Sequence, residues 1–132
     1  MSDIAKRILV AEDNRVLSDV LRFNLERAGF VVTVARDGLQ AIQQLRSVCF
    51  DLLLTDFQMP GANGEQLCQL VREELGNQEL PIMICSAKGL ELDNSELKAK
   101  WQVSAVIYKP FSMREIVRLA VEATTATPAF QA

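Results

Sequence analysis

Five short, almost uninterrupted apolar runs recur along this chain. Each is followed by a longer segment with helical periodicity, and that alternation constrains the fold more than any other feature. The runs are Ile8-Leu9-Val10-Ala11, residues 31–35, Leu52-Leu53-Leu54-Thr55, Ile82-Met83-Ile84-Cys85 and Ala105-Val106-Ile107-Tyr108. Each has the length of a strand. Continuous rather than alternating apolar character marks strands covered on both faces. Strands that strictly alternate with helices form parallel pairs joined by crossovers. An open, doubly wound α/β sheet is the architecture expected, because a closed eightfold barrel needs a chain far longer than 132 residues.

The intervening segments carry the helical signals. In the first, Leu17, Val20, Leu21, Phe23, Leu25 and Ala28 recur mostly three or four residues apart, and Gly29 stops the run. The second spans about 38–47, with Leu39, Ala41, Ile42 and Leu45 inward. The third runs from near Gly64 to Leu75, with Leu67, Leu70 and Val71 inward and Gly76 closing it. The fourth, about 90–101, is less regular, since Asp93, Asn94 and Ser95 can start or interrupt a helix. Ser112 with Glu115 forms a capping box that opens the fifth, whose stripe is Ile116, Leu119, Ala120 and Ala123. The chain reads as one domain over residues 5–124. Residues 125–132 read as a flexible tail or the stub of a linker.

Composition removes whole classes of chemistry. There is no histidine, which excludes Ser-His-Asp and Cys-His catalysis and every zinc site that needs imidazole. Cys49, Cys68 and Cys85 match no CxxC spacing and read as reduced thiols, Cys85 as a small core residue. With 14 basic and 17 acidic residues the net charge is -3. That balance offers no basic footprint for direct nucleic-acid binding. No apolar run is long enough to cross a bilayer, and the segment before the first run is too short and polar for a signal peptide. A cytoplasmic location is expected.

In an open α/β sheet, ligands bind beyond the carboxyl ends of the strands. The first strand ends at Glu12 and Asp13, the third at Asp56, the fourth at Ser86 and Ala87, and the fifth at Lys109 and Pro110. Taken singly, each has a plain explanation as a turn, a cap or a solvated side chain. Together they fall on one rim. Clustered carboxylates repel one another unless a cation joins them, and hard oxygen ligands with room for water suit Mg²⁺. A lysine and a hydroxyl on the same rim suit phosphoryl oxygens, and an aspartate can itself accept a phosphoryl group covalently. These residue types at these positions point to a metal-dependent aspartyl phosphorylation site.

The segment Ile8-Leu9-Val10-Ala11-Glu12-Asp13-Asn14 resembles the opening of a response regulator receiver domain. The segment from Asp56 through Met59-Pro60 to Gly64 is similar to that family's phosphorylation loop, D-x-x-M-P-x-x-x-G. Ser86-Ala87 resembles its switch hydroxyl and following small residue, and Lys109-Pro110-Phe111 its lysine, proline and phenylalanine. The resemblance covers about residues 5–124, and four motifs in order and spacing make it specific. It implies a flavodoxin-like sheet of order 2-1-3-4-5 with five helices. It further implies Asp56 as phosphoacceptor, and Mg²⁺ held by Glu12, Asp13, Asp56 and the backbone carbonyl of Gln58. Lys109 and Ser86 are then assigned to the phosphoryl group, with Ala87 beside them. The implied partners are a sensor histidine kinase or histidine phosphotransfer protein, a downstream protein or fused effector domain, and a phosphorylation-dependent second copy. The implied output surface is formed by the fourth helix, fifth strand and fifth helix.

One position departs from the pattern. Many family members carry an aromatic residue three positions before the lysine, where this chain has Val106; Tyr108 lies on the same strand face. Gln58 and Lys88 stand where the family tunes phosphoryl lifetime. Three other functions remain to be weighed. A small Mg²⁺-dependent aspartyl phosphatase needs a general acid near Asp56 and usually a cap domain, and this chain offers Gln58 and no length for a cap. A degenerate receiver used only for binding is expected to lose acidic or lysine positions, yet all are present. A flavin-binding domain needs a phosphate-binding loop after the first strand, where Glu12-Asp13 repels phosphate.

Overall fold

The computed structural model describes residues 5–87 and 94–125. It contains β1 (Arg7–Ala11), α1 (Arg15–Arg27), β2 (Val31–Ala35), α2 (Gly38–Ser47) and β3 (Leu52–Asp56). There follow α3 (Gly64–Gln69, continued by a π-turn Leu70–Glu74), β4 (Ile82–Ala87), α4 (Asn94–Trp101), β5 (Ala105–Lys109) and α5 (Met113–Thr125). The five strands are parallel, in the order β2-β1-β3-β4-β5. This is the doubly wound sheet the alternating pattern predicts, in the flavodoxin-like order the resemblance implies.

Successive side chains of each strand feed opposite layers, which is why the runs had to be continuously apolar. Leu9, Leu53, Ile82 and Ile84 pack with Ala41 and Leu45 of α2, Leu67 and Cys68 of α3, and Leu97 and Trp101 of α4. Ile8, Val10, Leu52, Leu54, Met83 and Ile107 pack with Leu21 and Leu25 of α1 and Ile116 and Ala120 of α5. The two cores account for nearly all the large buried side chains.

Local chemistry sets the helix ends. The Asn14, Asp37 and Asn63 side chains each accept an N–H from the first turn of α1, α2 and α3. A cap of this kind is worth about 1 kcal/mol. Ser112 accepts the Glu115 N–H at 3.0 Å to start α5, as the sequence indicated. Glu115 turns its own carboxylate to Arg118. Gly29, at φ +102°, closes α1: its N–H donates to Glu26 O and the Phe30 N–H to Leu25 O.

One inward assignment, Leu39, fails, and two apolar residues of the first helical run, Val20 and Phe23, face outward. Leu39 is 64% exposed, Phe23 59% and Val20 39%. The buried stripe of α1 is narrower than its apolar pattern, since Ser18, Leu21 and Leu25 suffice to cover the sheet there. Leu39 sits at the outer lip of α2's first turn. The first residues of the expected fourth helix, 90–93, lie outside the described residues, as do Lys88 and the tail from 126.

Candidate functional site

Order 2-1-3-4-5 reverses chain direction across the sheet between β1 and β3, and the crevice at that switch point is where such folds bind ligands. Both acidic segments lie there. Glu12 and Asp13 follow β1 directly, and Asp56 ends β3. Register completes the set: Asp56 is level with Cys85 and Ala87 with Lys109. Carboxylate oxygens of Glu12, Asp13 and Asp56 come within 4.8 Å of one another. Lys109 Nζ reaches both Glu12 Oε1 at 3.2 Å and Asp56 Oδ1 at 3.3 Å. The Lys109–Pro110 peptide bond is cis.

The fold withdraws two of these carboxylates from water. Glu12 is 2% exposed and Asp56 9%. Burial raises the Glu12 carboxyl above its ordinary range; the Asn14 amide and Lys109 oppose this, and Asp56 adds to it. Burial likewise raises Asp56, against the pull of Lys109 and with the push of Asp13. Desolvation works against the Lys109 ammonium, but Asp56 and Glu12 together outweigh it and lift its pKa. Asp13 stays exposed at the mouth.

Asp56 is rigidly placed. Its Oδ1 accepts the Phe57 N–H at 3.1 Å, and its backbone carbonyl accepts the Thr55 hydroxyl at 2.9 Å. Ser86 is buried on the neighbouring strand, and its Oγ has no hydrogen-bond partner among the described residues. Buried hydroxyls are almost always paired. An unpaired one at the rim of an acidic pocket is a donor available to an incoming acceptor. Ala87 is exposed beside it, and Gln58 is exposed on the loop after Asp56. Every sequence-predicted site residue is therefore at the carboxyl edge of the sheet, with Glu12, Asp13, Asp56 and Lys109 in one cluster. Val106 is half-buried against the core that includes Leu97 and Trp101, whereas Tyr108 is exposed.

Sequence reasoning missed Gly38. Its N–H donates to Pro60 O at 2.8 Å across the loop that follows Asp56. The Asp37-Gly38 pair carried a cap signal, but nothing local tied it to residue 60.

With the geometry established, comparisons with known proteins become informative. Residues 8–121 match the profile of the response regulator receiver domain. The receiver domain of a Francisella response regulator is 25% identical, with 92% of this chain and 99% of that one covered at a TM-score of 0.80. The receiver domain of a sensor histidine kinase from Pseudomonas aeruginosa, which holds a magnesium ion in its active-site cleft, is 26% identical over 92% of this chain and 100% of that one, TM-score 0.78. A CheY-like receiver protein from Methanospirillum hungatei, at 22% identity, 92% and 94% coverage and TM-score 0.82, shares the fold. A family match over most of the chain, a 2-1-3-4-5 sheet and an acidic cluster at its switch point agree: the chain belongs to the response regulator receiver domain family.

Proposed function

We propose that this chain is a phosphorelay switch in which Asp56 accepts a phosphoryl group, in a Mg²⁺-dependent reaction, from a phosphohistidine on a sensor histidine kinase or a histidine phosphotransfer protein. The observation that carries the reading is the convergence of Glu12, Asp13 and Asp56 on one another and of Lys109 on two of them. Three carboxylates against one ammonium leave two negative charges (-3 + 1 = -2) in a partly desolvated pocket, which a divalent, oxygen-loving cation balances. Glu12, Asp13, Asp56 and the backbone carbonyl of Gln58 would hold that ion, directly or through water. When bound, it neutralises charge on the carboxylates and the phosphoryl oxygens.

The chain's own residues then divide the work. Asp56 supplies the nucleophile as a carboxylate, held at the end of β3 with its Oδ1 accepting the Phe57 N–H. An Asp56 oxygen attacks phosphorus, the P–N bond to the donor imidazole breaks, and its electron pair stays on that nitrogen. Lys109 exchanges its contact with Asp56 for a phosphoryl oxygen, where its charge offsets the charge that develops. The unpaired Ser86 hydroxyl donates to another phosphoryl oxygen, and the small side chain of Ala87, level with Lys109, leaves room for it. The domain turns over no separate substrate; its catalysis is of its own phosphorylation and slow dephosphorylation. The reading places it in the cytoplasm, signalling to a downstream protein or a fused effector.

Calorimetric titration should find one Mg²⁺ site, weakened about tenfold or more by Asp13→Asn. Unchanged affinity in that variant contradicts the ligand assignment. Acetyl phosphate with Mg²⁺ should add a label that hydroxylamine removes, as an acyl phosphate requires; a hydroxylamine-stable label means another residue was modified.

A further inference from the structure

The loop that follows Asp56 is fixed at two points. At the first, the Phe57 N–H donates to Cys85 O at 2.8 Å and to Asp56 Oδ1 at 3.1 Å, and Phe57 O accepts the Gly64 N–H at 2.7 Å. At the second, Pro60 O accepts the Gly38 N–H at 2.8 Å. Gln58 lies between them. The second fixed point belongs to a different element, the first turn of α2. A helix's first N–H groups have no intrahelical partner, and this one is spent on the loop.

The approach is close enough to require glycine. A Cβ on Gly38 would overlap the backbone nitrogen, the carbonyl oxygen and the Cβ of Ala62. Gly61, at φ +89°, lies against the same turn, and a Cβ there would come 3.1 Å from Leu39 Cγ. Both sides of this contact reach the core, α2 through Ala41 and Leu45 and the loop through Ala62, which is 5% exposed. The residues before Ala62 are less covered, with Gln58, Pro60 and Gly61 exposed. A methyl group added to Gly38 must move Ala62, and the exposed residues joined to it move with it.

We propose that Gly38 is a positioning residue for the phosphoacceptor site: its N–H and its missing side chain seat residues 57–62 so that the Gln58 carbonyl is presented to Mg²⁺. The inference rests on the proposed function, because it takes the Gln58 carbonyl as a ligand. Gly38 itself touches neither ion nor phosphoryl group; it acts through the backbone of Pro60 and Ala62.

The test is Mg²⁺ affinity by calorimetry for the wild type, Gly38→Ala and Ala41→Gly, with thermal midpoints measured alongside. Ala41→Gly weakens the same helix and leaves the Gly38 N–H bond to Pro60 O and the approach of Gly38 to Ala62 in place. Gly38→Ala should bind Mg²⁺ about tenfold or more weakly, the usual effect of losing support behind a ligand, and Ala41→Gly should bind as the wild type does. Equal affinity of Gly38→Ala and wild type, or equal losses in both variants, overturns the proposal while leaving Asp56 as acceptor. A wild type that binds no Mg²⁺ overturns the underlying reading as well. Should Gly38→Ala not fold, amide exchange in the wild type decides. Saturating Mg²⁺ should slow exchange of the Gly38 N–H several-fold by closing the loop on it, and an unaltered rate overturns the proposal.

Discussion

The three thiols divide by burial. Cys49 is exposed, whereas Cys68 and Cys85 are buried. Burial pushes both buried thiols up to about 12. At pH 8 a thiol reagent should modify Cys49 quickly and the other two only as fast as the protein opens, so mass analysis should show a single rapid addition. Rapid addition of two or three means the strands and helices that cover them are not closed. The same shift has a sign in stability. The folded-state pKa of Cys68 lies above the unfolded value, so its contribution is complete below about pH 8.5 and is lost as pH rises towards 12. Alkaline unfolding should be milder in Cys68→Ala than in the wild type, relative to each protein's stability at pH 7. At this scale the sequence was informative about type more than state. Cys85 was legible as core because it ends an apolar run, and Glu12, Asp13, Asp56 and Lys109 because each sits at a strand end. The paired contact of Lys109 with Glu12 was not legible, because it depends on how far two side chains reach across 97 residues of chain.

Elements hold two features that periodicity cannot reveal. The end of α3 widens into a π-turn, with the Leu75 N–H reaching Leu70 O at 2.8 Å. It carries Arg72 inward. Arg72 is 5% exposed, and its guanidinium donates to three carbonyls: Trp101 at 2.8 Å, Asn77 at 3.0 Å and Gln102 at 3.1 Å. Two of these carbonyls end α4, where a cation also meets the negative end of the helix dipole. Glu65 of α3 accepts from Trp101 Nε1 at 2.9 Å, so α4 is tied to α3 at the same end. Arg72→Met should cost about 3 kcal/mol in urea unfolding, since it strands several buried acceptors at about 1–3 kcal/mol each. A loss under 1 kcal/mol would mean that water replaces the guanidinium at no penalty. Gln102, at φ +53°, is the left-handed residue that ends α4. Gln102→Gly keeps its carbonyl for Arg72 and relieves the backbone, so it should raise stability by about 0.5–1 kcal/mol. Gly76 was readable as the end of α3, but the widened turn depends on partners near residue 101, outside any local window. Val20, Phe23 and Leu39 show the converse limit. Their spacing is helical, yet a helix needs only one stripe to cover a sheet, and apolar type alone does not say which residues form it.

For the whole molecule, the alternation of apolar run and helix was enough for the fold, because parallel strands buried on both faces leave few other arrangements. It was enough to gather the candidate site residues too, because every parallel strand ends on the same rim. What it left out is the bracing between elements, such as Gly38 against Ala62, where two stretches distant in sequence meet only once folded. Switching belongs at this scale. Ser86 is buried and unpaired among the described residues, and Val106 packs into the core that holds Leu97 and Trp101 of α4. A valine fills less space there than an aromatic ring, so under the proposed function Ser86 would move towards the phosphoryl group without a large side chain rotating first, a looser coupling that leaves an active-like population before phosphorylation. Beryllofluoride with Mg²⁺ should shift the amide resonances of residues 94–101 in the wild type but not in Ser86→Ala. Equal shifts in both would show that Ser86 does not carry the signal, and identical unmodified-state spectra at α4 in wild type and Val106→Tyr would refute the looser coupling. All of this depends on one covalent event, and intact-mass measurement after incubation with acetyl phosphate and Mg²⁺ tests it most directly. The wild type should gain the mass of a single phosphoryl group and Asp56→Asn none; equal gain in both proteins, or none in the wild type, would contradict Asp56 as the acceptor.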